Sequence, residues 1–283
     1  MAHRAIVIGC GRIGAGFHWP KHPYVYTHAD AYFAMKKHVE LVAFVEPDPE
    51  RADAAAKKYQ LHVYDDLVDA LGVEEPDIVS VCVQPKDQPP VIEAIENAPC
   101  VKAVWCEKPY VSKILSIPTQ INYLRRFERL HERTKRLLAS QKLGKTLGLI
   151  ITAKANEHTI CHFADLSLYW DIPIEHVQYV DTSGPEYVLT NYMVLCEKGM
   201  VVFAEGGAWY SVYTMRESKV FPGTLVPGNA LASGNWEPYF MENALKNILD
   251  VLDDEDGKVQ LLSPPDPEVT RRIEYLERSM NAV

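Results

Sequence analysis

Short apolar runs alternate with stretches of helical periodicity through the N-terminal third of the chain. The apolar runs lack a polar face, which is typical of strands in a parallel sheet that helices cover on both sides. One helix has a clear start signal, because Asp48 can cap it and Pro49 fits its first position. The pattern predicts strands at Ala5–Ile8, Glu40–Val45, Ile78–Val83 and Val101–Cys106, and helices at 49–59, 65–71 and 90–97.

The pattern changes after Pro109. A short extended piece at 119–124 precedes a long predicted helix at 127–141, which Gly144 ends. Longer strand-like runs follow at 146–155, 176–182, 187–196 and 200–209. The segment 221–236 is rich in Pro and Gly and is predicted to be a loop before two closing helices at 240–252 and 268–280. We therefore predict a Rossmann-type parallel α/β domain over residues 1–118 and an α+β domain with an open, mainly antiparallel sheet over residues 119–283.

Composition narrows the class of protein. The chain has 283 residues, 29 Lys and Arg against 38 Asp and Glu, and a formal net charge of −9. This charge argues against a general nucleic-acid or anionic-membrane binder, and no apolar run has the length of a membrane span. The six cysteines are far apart without a C-x-x-C pair, which favours a reduced, cytoplasmic protein over a disulfide scaffold or zinc ribbon.

Gly9-Cys10-Gly11-Arg12-Ile13-Gly14 directly follows the first predicted strand. In a dinucleotide-binding fingerprint, the first glycine permits the tight turn, the second lets the backbone approach a pyrophosphate and the third allows close packing. Glu46 ends the second predicted strand, where a carboxylate accepts hydrogen bonds from ribose hydroxyls and repels a 2′-phosphate. NAD(H) is therefore the preferred cofactor, with NADP(H) possible; a glycine turn that binds no dinucleotide is the alternative.

Glu46 lies farther from the glycines than the usual spacing of about 20 residues. The extra residues form an aromatic segment, 16–27, which contains Trp19 and two prolines that prevent a continuous helix. This segment leaves the sheet edge where ligands bind, so it is predicted to be either a substrate wall or lid, or a surface or oligomer contact.

Cys106-Glu107-Lys108-Pro109 ends the last strand predicted in the first domain. A lysine here can hydrogen-bond a substrate hydroxyl and stabilise negative charge that develops as a hydride leaves. A plain strand end followed by a turn is the alternative.

Together these features resemble the glucose–fructose oxidoreductase / inositol dehydrogenase (Gfo/Idh/MocA) family. The resemblance rests on the glycine turn, 46–52, Glu107-Lys108-Pro109, Arg125-Arg126-Phe127, Lys142-Leu143-Gly144-Lys145 and the second sheet. It implies NAD(P)-dependent oxidation or reduction at a sugar or cyclitol carbon, and an oligomer contact through the open sheet. The implied cofactor-binding residues are Gly9, Gly11, Arg12, Ile13, Gly14, Glu46, Gln84, Pro85, Glu107 and Lys108.

The family's second catalytic signature is matched by His162 and Asp165, whereas His158 stands where the family has an aspartate. The resemblance implies that His162 is the general base, that Asp165 orients it or binds substrate, and that Lys108 is the third catalytic residue. Trp19, His158 and Arg126 are candidate substrate contacts. A zinc site at His158, Cys161, His162 and Asp165 is the alternative interpretation, but no metal is expected.

The sequence departs from the family pattern in two ways. Only 15 residues separate Pro109 from Arg125, too few for the family's crossover helix, and the histidine that usually follows the proline at position 85 is missing. The basic segment Arg125–Lys145 can select an anionic substrate such as a nucleotide sugar, or it can be a solvated helix surface.

The expected activity is hydride transfer between NAD(H) and a hydroxyl or keto carbon of a sugar, cyclitol or nucleotide-linked sugar. The alternatives are a non-catalytic sensor or scaffold, and a reductase of a C=N or C=C bond.

Overall fold

The computed structural model describes residues 2–16, 24–154, 157–181, 190–235 and 239–281. The chain forms two compact units. The first comprises Met1–Phe127 and Pro238–Pro265, and the second comprises Glu128–Glu237 and Asp266–Val283. A domain boundary after residue 118 stays a prediction; the compact units divide after Phe127, and the first unit also takes in a later segment.

The helices of the described residues form early and late groups along the chain. Four of them alternate with the strands of the first sheet, and four follow later. In chain order they are α1 (His28–Ala34), α2 (Pro49–Tyr59), α3 (Leu67–Glu74), α4 (Gln88–Glu96), α5 (Arg129–Ala139), α6 (Glu157–Tyr169), α7 (Phe240–Leu252) and α8 (Pro267–Asn281).

The first unit contains a six-stranded sheet in which every pair of neighbours is parallel. Its order is β3-β2-β1-β4-β5-β6, which confirms the predicted Rossmann-type class. Because the order reverses between β1 and β4, the crevice beyond their carboxyl ends is where ligands bind in such sheets. The strands are β1 (His3–Ile8), β2 (Val39–Val45), β3 (His62–Tyr64), β4 (Ile78–Val81), β5 (Ala103–Cys106) and β6 (Thr119–Ile121).

Local sequence explains how this unit begins its helices and ends its sheet. Asp48 caps α2 as predicted, because its Oδ1 accepts hydrogen bonds from the amides of Glu50 at 3.0 Å and Arg51 at 3.1 Å. Thr27 caps α1 by accepting from the Asp30 amide. Residues 107–118, which join β5 to β6, contain no helix, so the predicted loss of the crossover helix is confirmed.

The second unit contains a mixed sheet with the order β12-β11-β10-β9-β7-β8. Among the described strands of this second sheet, only β7 and β8 are parallel neighbours, and the other pairs are antiparallel, as predicted. Glu197 and Lys198 form the hairpin turn between β9 and β10. The strands are β7 (Thr146–Ala153), β8 (Val177–Asp181), β9 (Asn191–Cys196), β10 (Gly199–Ala204), β11 (Trp209–Glu217) and β12 (Leu225–Asn235).

Two predictions in this sheet are wrong. The segment 221–236 is not a loop, because most of it forms β12, which pairs with β11 along its length. β12 is an edge strand, where the missing N–H of Pro227 removes no hydrogen bond to a further strand. The strand predicted over 200–209 instead ends at Ala204, because Gly206 and Gly207 have φ of +71° and +102° and turn the chain before β11.

Among the described residues, no helix combines the length and the apolar composition that crossing a membrane requires.

Candidate active site at the carboxyl edge of the first sheet

The glycine turn after β1 is crowded at two glycines and open at the third. Gly9 has a φ of +93°, and a Cβ there would lie 2.8 Å from the carbonyl oxygen of Cys82. A Cβ on Gly14 would lie 1.9 Å from the carbonyl oxygen of Gly9, so a side chain cannot fit without moving the backbone. Nothing lies within 4 Å of a Cβ built on Gly11. Gly9 and Gly14 therefore have no room for a side chain, whereas Gly11 leaves space where a pyrophosphate approaches in dinucleotide-binding sheets.

The segment that follows differs from a standard Rossmann domain. Arg12–Gly16 form a single π-helical turn, in which the Gly16 amide donates to the carbonyl oxygen of Gly11 at 2.9 Å. Arg12 is exposed and Ile13 is half-buried on this turn. The aromatic segment predicted to be a wall or an oligomer contact, including Trp19, falls largely outside the described residues.

Glu46 follows β2 and ties the glycine turn to the start of α2. Its Oε2 accepts from the amide of Cys10 at 2.8 Å, and its Oε1 accepts from the amide of Asp48 at 3.0 Å. The residue is 4% exposed, and the Arg51 guanidinium lies 4.0 Å from Oε2. Each carboxylate oxygen can accept more than one hydrogen bond. Glu46 can therefore hold the turn and still accept from a ribose hydroxyl.

Cys10, within this turn, is not an activated nucleophile. Burial and the neighbouring charge of Glu46 raise the pKa of its thiol to about 12. Because the thiolate is the reactive form, this cysteine behaves as a small apolar residue.

Glu107 and Lys108 follow β5 at the same edge of the sheet, with Glu107 buried and Lys108 half-buried. Gln88 holds the chain on both sides of Lys108. Its Nε2 donates to the carbonyl oxygens of Glu107 at 3.0 Å and Pro109 at 3.1 Å, and its Oε1 accepts from the amide of Val111 at 3.1 Å. Gln88 is fully buried, so one fixed side chain defines the path of the segment that carries Lys108.

Glu107 and five other buried side chains lie together, and we call them the His28 cluster. His28 Nε2 lies 3.1 Å from Glu107 Oε1, and His28 Nδ1 lies 2.9 Å from Ser80 Oγ. Asn122 Nδ2 donates to the same Glu107 oxygen. Every member is at most 7% exposed; the members are His28, Tyr32, Ser80, Trp105, Glu107 and Asn122.

The remaining contacts of the cluster come from two aromatic residues. The Tyr32 hydroxyl lies 2.8 Å from Ser80 Oγ. Trp105 Nε1 donates to Asn122 Oδ1 at 3.1 Å, and its ring centroid lies 3.8 Å from that of His28.

These contacts set the charge of Glu107. Burial favours the neutral carboxyl, but hydrogen bonds from His28 and Asn122, together with the charge of Lys108, outweigh burial and lower its pKa. Glu107 is therefore a buried carboxylate at neutral pH.

The other candidate residues of the first unit lie at less enclosed positions. Gln84 is exposed and Pro85 is half-buried, at the start of a 3₁₀ turn after β4. Arg126 donates from its guanidinium to the carbonyl oxygen of Leu262 at 2.7 Å.

In the second unit, α6 carries His162 and Asp165 one helical turn apart. His162 is half-buried, and Asp165 is 1% exposed. The backbone of His158 belongs to the same helix, but its side chain is outside the described part of the structure. Within that part, no three His, Cys, Asp or Glu side chains lie together as metal ligands do.

A second buried histidine lies in this unit, in what we call the His131 cluster. His131 Nδ1 contacts the carboxylate of Glu128, and its Nε2 lies 2.7 Å from the Tyr192 hydroxyl. The ring of Phe203 stacks on the imidazole with centroids 4.8 Å apart, and Trp170 Nε1 donates to the His131 carbonyl oxygen at 3.1 Å.

Comparison with protein families agrees with the geometry of the first unit. Residues 3–134 match the family GFO_IDH_MocA, described as an oxidoreductase family with an NAD-binding Rossmann fold. This part of the chain belongs to the Gfo/Idh/MocA family. No curated protein matches the chain.

Solved structures with the same fold match this chain over nearly its whole length. A super-repressor mutant of Gal80p from Saccharomyces cerevisiae has 12% identity and a TM-score of 0.72, covering 100% of this chain and 97% of that one. An oxidoreductase from Agrobacterium radiobacter, in complex with NAD+, L-tartaric acid and magnesium, has 14% identity and a TM-score of 0.67, covering 99% and 97%. The WlbA dehydrogenase from Bordetella pertussis, in complex with NADH and UDP-GlcNAcA, has 13% identity and a TM-score of 0.68, covering 99% and 97%. At these identities the likeness establishes the fold.

The NAD of the Gfo/Idh/MocA family fits the residues at this edge. The open space at Gly11 suits a pyrophosphate, and the positive φ of Gly9 supports the tight turn that brings the backbone close. Glu46, fixed by two backbone amides, lies at the position that meets the adenosine ribose in such folds.

Sequence reasoning missed His28, Ser80, Gln88 and Asn122. Asn122 directly follows β6, and a polar residue just past a buried strand is the same signal that singled out Lys108. His28 follows the helix-capping Thr27, but nothing in its local sequence indicates a carboxylate partner 79 residues away.

Proposed function

We propose that this Gfo/Idh/MocA member transfers a hydride between NAD(H) and a hydroxyl or keto carbon of a sugar, cyclitol or nucleotide-linked sugar. The observation that carries the proposal is the glycine turn, open at Gly11, at the same sheet edge as Lys108. The substrate class is supported by the neighbours of the same fold, one of which was solved with NADH and UDP-GlcNAcA.

When bound, the nicotinamide supplies the hydride acceptor or donor. Lys108 donates a hydrogen bond to the substrate oxygen and stabilises the negative charge that develops there. His162 takes up or returns the hydroxyl proton, because an imidazole titrates near working pH. Asp165 orients His162 or binds substrate; both roles, and candidate substrate contacts at Trp19, His158 and Arg126, rest on the resemblance.

We propose NAD(H) as the preferred cofactor. The carboxylate of Glu46 accepts from ribose hydroxyls and repels a 2′-phosphate. Arg51, whose guanidinium lies 4.0 Å from Glu46, is the cation that would allow NADP(H) as the weaker ligand.

A second candidate function is a dinucleotide-binding regulator without catalysis. It is favoured by the likeness to Gal80p, a repressor by its description, over the whole chain. The presence of His158, where the family has an aspartate, also favours it. This candidate predicts NAD(H) binding without turnover.

We further propose that a second copy of the chain covers the open face of the second sheet. Alternate residues of β9 and β10 are half-buried rather than buried, and the register places the apolar side chains of Ile150, Met193 and Val202 side by side. Sedimentation velocity tests this; a monomer at micromolar concentration would contradict it. None of the six cysteines, all of which lie among the described residues, forms a disulfide, which supports a cytoplasmic location.

The cofactor part of the proposal is tested by adding one methyl group to the glycine turn. Gly11→Ala places a Cβ where the pyrophosphate lies, so NADH affinity should fall by at least about tenfold, ~1.4 kcal/mol. The melting temperature should stay nearly unchanged because the Cβ meets no atom within 4 Å. NADH fluorescence titration and thermal unfolding measure the two effects.

Gly72→Ala is the matched control. Gly72 lies in α3 and also has no atom within 4 Å of a built Cβ, so this variant should keep NADH affinity. Equal affinities of the Gly11→Ala variant and the parent protein would mean that the glycine turn holds no dinucleotide.

The catalytic part is tested by Lys108→Ala. Turnover, followed as NADH formed from NAD+ with pooled sugars, cyclitols and nucleotide sugars, should fall about 100- to 1000-fold. NADH affinity should change less than about twofold, because the lost interaction acts in the transition state. Unchanged turnover would remove Lys108 from the mechanism, and NADH binding without turnover in the parent protein would favour the regulator.

A further inference from the structure

Two hydrogen bonds of the His28 cluster, from His28 and from Asn122, end on one atom, Glu107 Oε1. A carboxylate only accepts hydrogen bonds, so the Nε2 side of His28 carries the proton that points at it. In the neutral ring, Nδ1 then accepts from the hydroxyl of Ser80, an assignment that follows from the hydrogen-bond network. The Asn122 amide donates to the same oxygen. The carboxylate is therefore held by two separate side chains.

Trp105 fixes the direction of the Asn122 amide. Its indole N–H can only donate, and it lies 3.1 Å from Asn122 Oδ1. The amide oxygen therefore faces Trp105 and the NH₂ group faces Glu107. Because Trp105 also packs on the His28 ring, one buried side chain orients both donors.

The main chain around Lys108 is held as firmly as the Glu107 side chain. Gln88 bonds the main chain on either side of Lys108 and again at Val111. Lys108 therefore lies between a side chain fixed by the His28 cluster and a backbone fixed by Gln88.

Stability alone does not account for this arrangement. Burying a carboxylate with a histidine has a large desolvation penalty, and apolar side chains of similar volume often give equal or higher stability. The cluster lies at the ligand-binding edge of the sheet, next to the lysine of the proposed reaction.

We propose that His28 and Asn122 are positioning residues, which hold the Glu107 carboxylate and through it place Lys108 at the hydride-transfer site. The inference rests on the proposed function of Lys108 and assigns no contact with substrate to His28 or Asn122.

Two substitutions of His28 separate positioning from packing. In His28→Gln, the side-chain amide can still donate from near the Nε2 position to Glu107. In His28→Asn, the shorter amide reaches toward Ser80 but not toward Glu107. Turnover in the pooled-substrate assay should be about 10- to 100-fold lower for His28→Asn, whereas His28→Gln should recover most of it. NADH affinity should stay within about twofold in both variants, so the loss appears in kcat.

His131→Gln is the matched control, because His131 contacts Glu128 through Nδ1, whereas glutamine places its amide near the Nε2 position and so disrupts this buried histidine–glutamate pair of the second unit. It should lower stability without the loss in kcat. Equal turnover of the two His28 variants, with Lys108→Ala inactive, would overturn the positioning role and leave the proposed function intact. Full turnover of Lys108→Ala would overturn both.

A second measurement does not depend on turnover. Hydrogen exchange of the peptide spanning 107–111 should speed up in His28→Asn and in Asn122→Leu, and should stay slow in His28→Gln. Unchanged exchange in His28→Asn and Asn122→Leu would show that the cluster does not hold this segment.

Discussion

The two buried histidines of this protein make similar contacts in different surroundings. His28 pairs with Glu107 across 79 residues of sequence, and its cluster joins α1 to the ends of β4, β5 and β6. His131 pairs with Glu128, only three residues away. The first pair depends on the topology of the sheet, whereas the second is a local feature at the start of α5.

Their neighbours also differ. His28 is surrounded by donors and acceptors that end on a carboxylate beside Lys108, whereas His131 is stacked among aromatic rings. The centroid of Phe203 lies 4.6 Å from that of Tyr192 and 5.7 Å from that of Trp170. We infer that the His131 cluster contributes mainly to the stability of the second unit, and that the His28 cluster contributes to chemistry.

Among substitutions that test this comparison, Phe203→Ala should cause the largest loss of stability. Phe203 is fully buried, and removing its ring leaves a cavity among four other rings, which should lower the free energy of unfolding by about 3–5 kcal/mol. Urea unfolding measures the loss. Val220→Ala is the control, because Val220 is 73% exposed and its truncation should cost less than about 0.5 kcal/mol. If Phe203→Ala lowered NADH affinity by as much, in free energy, as it lowered stability, the separate roles of the two clusters would be contradicted.

A paired substitution gives the next largest effect. Glu107→Gln and Glu128→Gln each remove a buried charge while keeping the side chain's size, and each should lower the free energy of unfolding by about 1–3 kcal/mol, because amide donors then face donors of the cluster. Only Glu107→Gln should also lower kcat. Urea unfolding and the pooled-substrate assay, on both variants, measure the difference. If both variants kept full turnover, the His28 cluster would have to be regarded as structural too.

Much of the first unit follows from local sequence. Strands buried on both faces lack a polar face, so the sequence pattern indicates β1, β4 and β5, and the Asp48 cap indicates the start of α2. The sequence pattern does not predict β3, because His62–Tyr64 is a three-residue edge strand that is only partly buried. The pattern predicts a loop instead of β12, because the Pro and Gly content of this segment is typical of a loop. Only an edge position makes that content compatible with a strand.

The candidate site divides in the same way. The glycine turn and Glu107-Lys108 both have a local signal in the sequence. The signal of the first is a turn that requires glycine, and that of the second is a pair of polar residues just past a buried strand. The backbone contacts of Glu46 and the partners of Glu107 are set by which strands become neighbours in the sheet. Because β1 lies between β2 and β4, and β5 between β4 and β6, residues from distant parts of the sequence meet at one edge, and a single sequence does not encode those pairings locally.

The smallest predicted effect is on the pH dependence of stability. The folded-state pKa of Glu107 lies below its ordinary value of 4.5, so the unfolded state binds the proton more readily and the stabilisation is present above pH 4.5. It is lost as pH falls through the folded-state pKa, with a slope of at most about 1.4 kcal/mol per pH unit for one proton. Urea unfolding of the parent protein and of Glu107→Gln at successive pH values below 4.5 isolates this contribution, since the variant has no carboxyl group at position 107 to take up a proton. Because the stabilising hydrogen bonds come from His28 and Asn122, Asn122→Leu should also flatten the slope. Parallel curves for all three proteins would mean that these donors do not stabilise the charged form of Glu107.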